Sequence, residues 1–236
     1  MTIAHQARCG LQLLIVALAC LTGCMPDGLL ITPVSTNRAL TETVINREDA
    51  WASDKIVIID IAGLLLNAET PGLFKPGEHP VALLTEQLDK ARRDKNVKAV
   101  VLRINSPGGG VTASEIMHDE ITRFKKRTHK PVIAILMDVA ASGGYYVACA
   151  CDQIYAQHST VTGSIGVIVQ LFEFSGTMAK LGVVGNAIVS GPNKAAGSPF
   201  GPLSEDQRAI FQGIVDRLFD QFVAVVVAGR PSLDEP

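Results

Sequence analysis

The stretch "KAVVLRINSPGGGVTASEIMHDEITRFKKR", Lys98 to Arg127, changes character halfway along. Its first seven residues are mostly apolar and include the β-branched Val100, Val101 and Ile104, as in a strand buried on both faces. After Gly108, Gly109 and Gly110 the spacing becomes helical, with Ile116, Met117, Ile121 and Phe124 on one side. Thr112 and Glu115 stand in capping-box register and predict where that helix opens. A strand, a glycine turn and a helix within thirty residues make one βα unit.

The neighbouring segments repeat the unit. "KIVIIDI" (55–61), "PVIAIL" (131–136) and "NAIVS" (186–190) are further strand candidates, and "VALLTEQLDKARRD" (81–94) spaces Leu84, Leu88 and Ala91 helically. A last helix opens at "SEDQ" (204–207), again a capping box, and carries Ile210, Ile214, Leu218 and Phe222 at helical intervals. The sequence therefore predicts a single α/β domain of repeated βα units around a parallel sheet covered on both faces.

Composition agrees. With 47% hydrophobic and 19% charged residues among 236, the chain can bury one sizeable core, which excludes a disordered protein. Its 21 basic and 23 acidic residues leave a net charge of −2, so no nucleic-acid partner is expected, and "RFKKR" (123–127) reads as the solvated end of a helix.

The N-terminus reads as an export signal. Arg8 precedes the apolar run "CGLQLLIVALACLTGC", too brief to span a bilayer and ending in small residues. Leu21-Thr22-Gly23-Cys24 resembles the bacterial lipobox, which implies acylation at Cys24. The expected organisation is a lipoprotein-type signal peptide over 1–23, a tether over 24–54 and the α/β domain over 55–236. Cys149 and Cys151 read as small buried apolar residues, and no Cys/His cluster has zinc spacing.

In such folds active groups gather where strands end and helices begin. Two junctions qualify: the glycine run, whose bare amides a substrate can approach, and "MDVAASGGYYVACACD" (137–152), where Ser142 stands at the start of a helix among unpaired N–H groups. Together they offer a nucleophile and oxyanion donors. A plain N-cap serine and a plain glycine turn are the bland alternatives. Phosphate binding fails on detail, since neither a P-loop Lys-Ser/Thr nor G-x-G-x-x-G is present. G-x-S-x-G is absent too, Ala140 standing where that motif wants glycine. A histidine triad could draw on His118 or His158 with Asp138 or Asp152, yet nothing local supports it, and His118 is expected to be exposed.

"RINSPGGGVTASE", "DVAASGGYYVACACD", "TVTGSIGVI" and "SGPNKAAGSPF" resemble, in this order, the blocks of the signal peptide peptidase A family, bacterial membrane-associated serine peptidases of the Clp protease/crotonase superfamily. The resemblance runs from about Lys55 to Arg230 and implies a Clp/crotonase-like fold that continues past "VVVAGRPSLDEP". It implies Ser142 as nucleophile, Lys194 as general base, the amides of Gly109 and Gly143 as oxyanion hole, and Ser164 as the serine that hydrogen-bonds the lysine. Neither cofactor nor metal is implied. The substrates implied are apolar peptides, including signal-peptide remnants, cut by an enzyme lipid-anchored in the bacterial cell envelope with its domain outside the cytoplasm. An acyl-CoA enzyme of the crotonase branch and a catalytically silent lipoprotein remain the other readings.

Residues 187–203 contain no acid, so an environment that favours a neutral lysine is available to Lys194. The last helix and its continuation "VAVVVAG" are too apolar for one core-facing stripe. That excess, with the ring assemblies of the family, leads us to expect a homo-oligomer.

Overall fold

A computed structural model describes residues 40–47, 52–69 and 79–231. The expected signal peptide, the lipobox-like stretch and most of the expected tether lie outside the described residues.

The elements in chain order are β1 (Lys55–Leu65), α1 (Pro80–Arg93), β2 (Val97–Gly109), α2 (Val111–Thr128), β3 (Val132–Ala141), α3 (Gly143–Ala148), β4 (Gln153–Ala156), β5 (Val161–Gly163), α4 (Ser175–Lys180) and α5 (Glu205–Gly229). The sheet runs β1-β2-β3-β4, with β5 pairing beside the end of β3, and every pairing is parallel. This is the expected α/β architecture of repeated βα units. Being parallel, the strands all start at one end of the sheet and finish at the other.

One face carries the core. Alternate residues Val100, Leu102 and Ile104 of β2 meet Met117 and Ile121 of α2 and Leu84 and Leu88 of α1, all at most 3% exposed. Each such side chain contributes about 1.5–3 kcal/mol on leaving water. α3 is buried along its whole length, and α5 closes over it through Phe222, whose ring meets Tyr146 edge-to-face at 5.1 Å.

Several expectations need correction. The sheet's second face is not covered by described residues: Ile56 and Ile58 are 64% and 43% exposed, and the row Asp60–Arg103–Ile135–Tyr155 crosses it, with Arg103 binding Asp60 through two hydrogen bonds of 2.6 and 2.7 Å. The 186–190 segment forms no strand, because its β-branched residues find no partner, and Ile188 is fully exposed. α2 starts on Gly110 with no side-chain cap, so the Thr112/Glu115 box is not formed; Ser114 Oγ bonds back to the Gly110 carbonyl instead. The Ser204/Gln207 box does form, each side chain bonding the other residue's backbone N–H at 3.3 Å. Cys149 and Cys151 are free and buried, as expected. Among the described residues no helix is long and apolar enough to cross a membrane.

Candidate active site

β2 and β3 end side by side, Ser106 pairing with Ala140, but the two strands leave the sheet differently. β2 runs on through Ser106, Pro107 and Gly108 before α2, whereas β3 turns abruptly into α3 at Ser142. That turn holds Ser142 at φ 50°, ψ −121°, a backbone region non-glycine residues rarely occupy. Such a conformation costs about 1–3 kcal/mol and persists only where the surroundings enforce it.

The enforcement is visible. The Ser142 N–H donates to the Gly163 carbonyl at 2.8 Å, and its own carbonyl accepts the Tyr146 N–H at 2.9 Å. The side chain makes no capping bond, so the bland N-cap reading fails and the half-buried hydroxyl is left uncommitted by the helix. α3 has only six residues, so the bonded turn positions Ser142 more than any helix dipole does.

The glycine run closes the other side. Gly108 has φ 98°, and a Cβ there would lie 2.7 Å from the Gly143 nitrogen and 3.0 Å from Ser142 Cβ, so only glycine allows the approach. A Cβ on Gly143 would collide with Ser114 Oγ. Gly109 pairs with Leu65 in the β1–β2 ladder, so Gly108 is the member of the run that touches Ser142.

Two residues that the sequence pattern did not single out hold this wall in place. Fully buried Ser106 donates to the Gly63 carbonyl at 2.6 Å and accepts the Gly108 N–H at 3.1 Å. Ser114, 3% exposed, backs Gly143 from α2. Ser106 falls on the even-numbered, buried face of β2 with residues 100, 102 and 104, so its position was readable from that alternation.

Ser164 directly follows Gly163, the acceptor for the Ser142 N–H, and has positive φ itself (52°); it is exposed. Lys194 lies in a turn closed by its N–H on the Gly191 carbonyl at 3.1 Å. Its side chain is exposed and has no hydrogen bond or ion pair to a described residue. The structure therefore brings Ser142, Gly108, Gly143 and Gly163 together and leaves Lys194 apart in an open segment.

The histidines are placed otherwise. His118 is not exposed as expected: its side chain is 19% accessible, packed edge-to-face on Tyr146 at 5.4 Å and 3.4 Å from Asp119. His158 is exposed. Among the described residues, neither histidine hydrogen-bonds Ser142.

Burial raises the pKa values around α3. The Tyr145 and Tyr146 phenols lie above their ordinary value for that reason, and the Cys149 and Cys151 thiols are pushed up to about 11 and about 12. No group of three or more His, Cys, Asp or Glu side chains suited to a metal occurs among the described residues.

Comparison with known proteins fits this geometry. The model of peptidase family S49 matches residues 124–235 and that of Clp protease residues 54–161. An Enterococcus faecium protein named as a putative signal peptide peptidase, SppA, is 34% identical over 236 residues, covering 97% of this chain and 67% of its own. The chain belongs to the S49 family of serine-type peptidases. "Protease 4" of Haemophilus influenzae is 36% identical over 191 residues, 81% of this chain and 30% of that protein. The chloroplastic serine protease SPPA of Arabidopsis thaliana is 36% identical over 171 residues, 72% of this chain and 25% of its own. The chain thus spans less than a third of these two relatives.

Proposed function

We propose that this S49 chain is a membrane-associated serine endopeptidase in which Ser142 is the nucleophile and Lys194 the general base. The observation that carries the reading is Ser142 itself, held in a strained strand-to-helix turn with its hydroxyl free of capping duty, against a glycine wall. Strain of this kind concentrates at functional sites.

In the proposed reaction neutral Lys194 accepts the Ser142 proton as Oγ attacks a peptide carbonyl. The amides of Gly109 and Gly143 hold the oxyanion, and Ser164 orients the lysine. Lys194 returns the proton to the leaving amine, and water then enters by the same route to release the acyl group. A lysine serves as base only when neutral, and burial away from acids favours that form. Since Lys194 is exposed in the chain taken singly, we propose that a second copy covers it, making the active enzyme a homo-oligomer. The substrates proposed are apolar peptides such as signal-peptide remnants. An acylated Cys24 would keep the enzyme beside them in the bacterial cell envelope, its domain outside the cytoplasm.

A fluorophosphonate probe followed by peptide mass spectrometry tests the assignment. Labelling confined to Ser142, lost in Ser142→Ala, is expected. An unlabelled but folded wild type that still cleaves peptides would remove Ser142 from the mechanism.

A further inference from the structure

Ser142 lies at the finishing end of the strands. The starting end has a different character. The last turns of α1 and α2 bring Lys90, Arg92, Arg93, Lys125, Lys126 and Arg127 there, and the turns beyond them add Lys95 and Lys130. The acids at this end are already engaged: Asp89 by Arg92 and Arg93, Asp94 and Glu42 by Lys55, Asp152 by Lys125, and Asp54 by Lys98. Lys95, Lys126 and Arg127 are exposed and have no ion pair among the described residues. Beside them a surface cavity of about 510 Å³ is lined by Lys125, Lys126, His129, Lys130, Pro131 and Asp152. As the whole chain is at −2, this is segregation of charge and not a basic composition.

Basic last turns complement helix dipoles, which accounts for some of these residues. It does not account for Lys95, which lies beyond the helix, or for where the chain departs. Glu42 is held at this same end by Lys55 at 2.7 Å and Lys90 at 3.5 Å. From there residues 25–41 lead back to Cys24, and at ~3.5 Å per residue they reach roughly 60 Å at most. An anchor at the N-terminus therefore leaves this end within reach of a membrane, and the charge there decides which face turns towards it.

We infer that the basic end of the sheet is a docking surface for anionic phospholipid headgroups, with Lys95, Lys126 and Arg127 supplying the contacts. The inference rests on the membrane association proposed above. Each cation near an anionic surface strengthens binding about fivefold, and the effect fades within a Debye length. Docked this way, Ser142 stands at the far end of β3, about 30 Å from the headgroups at ~3.3 Å per residue. A peptide then reaches it only after leaving the hydrocarbon.

The test uses the full chain on vesicles of phosphatidylcholine alone or with one third phosphatidylglycerol, reading the acetylation rates of Lys95 and Lys126. Both should fall at least tenfold on the anionic vesicles only, and the protection should vanish in high salt. In Lys126→Glu/Arg127→Glu the protection of Lys95 should be lost while fluorophosphonate labelling of Ser142 is kept. Equal rates on both vesicles, or protection that survives the double variant or high salt, overturn the inference. So does stronger protection by a short DNA duplex than by anionic vesicles. The anchor is read separately: wild type should float with neutral vesicles and Cys24→Ala should not. Failure there removes the acyl anchor without touching the lysine readout.

Discussion

The two halves of the proposed site are built differently. Around Ser142 the chain satisfies itself: Gly108 and Gly143 interlock, Ser106 is wholly buried, and α3 has no exposed residue. The segment 165–203, which carries Lys194, does the opposite. Ile168 and Val184 are 79% and 78% exposed, Ile188 is fully so, and Phe172 and Phe174 stack on each other near the surface. Within it the Phe174 N–H bonds the Pro199 carbonyl at 2.7 Å, and Gln207 of α5 ties it down through the Pro192 carbonyl at 3.2 Å. A nucleophile can be positioned by local packing because its demands are geometric. A lysine base needs an environment that excludes water, and one open loop cannot make that alone.

The largest expected effect tests whether the halves serve one step. Ser142→Ala and Lys194→Ala should each lower peptide hydrolysis about a thousandfold or more, and the double variant should lose no more than either. Additive losses would show that the two act in separate steps. Near-normal turnover in Lys194→Ala would break the comparison, since the open half would then hold no catalytic group.

The next effect belongs to the tight half. Gly143→Ala drives a methyl into Ser114 Oγ, which should cost about 1–3 kcal/mol in stability by overpacking and slow probe labelling about a hundredfold through a displaced amide. Ser114→Ala removes the colliding oxygen and leaves a Cβ at 3.3 Å, so Gly143→Ala/Ser114→Ala should recover part of both losses. Denaturation midpoints and labelling rates measured together check this. No recovery would mean that packing against Ser114 is not what places Gly143.

A smaller effect addresses the open half. Ile188→Glu adds a charge to a side chain that is fully exposed in the single chain, so a monomeric enzyme should tolerate it within about 0.5 kcal/mol. If a second copy covers this segment, the same change should lower the sedimentation coefficient and cut activity about tenfold, and wild-type specific activity should fall on dilution. A monodisperse wild-type monomer with dilution-independent activity would remove the oligomer from the proposal.

The same division decides what was legible in the sequence. Segments with a strong period and a local partner were readable: β2, β3, α1, α2 and the Ser204 cap all stand close to where their spacing puts them. The continuation of β2 across Pro107 and Gly108 was not, because proline and glycine signal turns; here β1 and β3 hold both sides of the strand and impose the extended path. The 186–190 run failed for the converse reason, since β-branched residues form a strand only beside another. β4 and β5 are four and three residues long, too short to show a period, and yet β5 supplies the carbonyl that fixes Ser142. His118 on a polar-looking helix face is covered by Tyr146 from α3, a tertiary contact no local pattern encodes.

The smallest effect concerns whether the tight half stays shut. Burial raises the Cys149 thiol to about 11 and the Cys151 thiol to about 12, partly opposed in Cys149 by Arg230 and in Cys151 by Lys125. At pH 8 their thiolate fractions are then on the order of a thousandth and a ten-thousandth, against roughly a tenth for a free thiol titrating near 9. Native protein should therefore react with iodoacetamide at least about a hundredfold more slowly than denatured protein. The sign with pH is set by proton release: the folded state keeps protons that the unfolded chain gives up, so stability is level below the unfolded thiol value near 9 and falls as pH rises towards 11–12. The cover over Cys149 is the end of α5, where Gly229 packs directly on its backbone and Arg230 reaches the Tyr145 hydroxyl at 3.3 Å. Gly229→Ala should lift that end, because a methyl has no room against Cys149, and should speed alkylation of Cys149 before that of Cys151. Mass spectrometry of the two thiols over time would show the order. Equal acceleration of both would mean that the nucleophile helix opens as a unit, and that the half around Ser142 is held less tightly by α5 than its packing indicates.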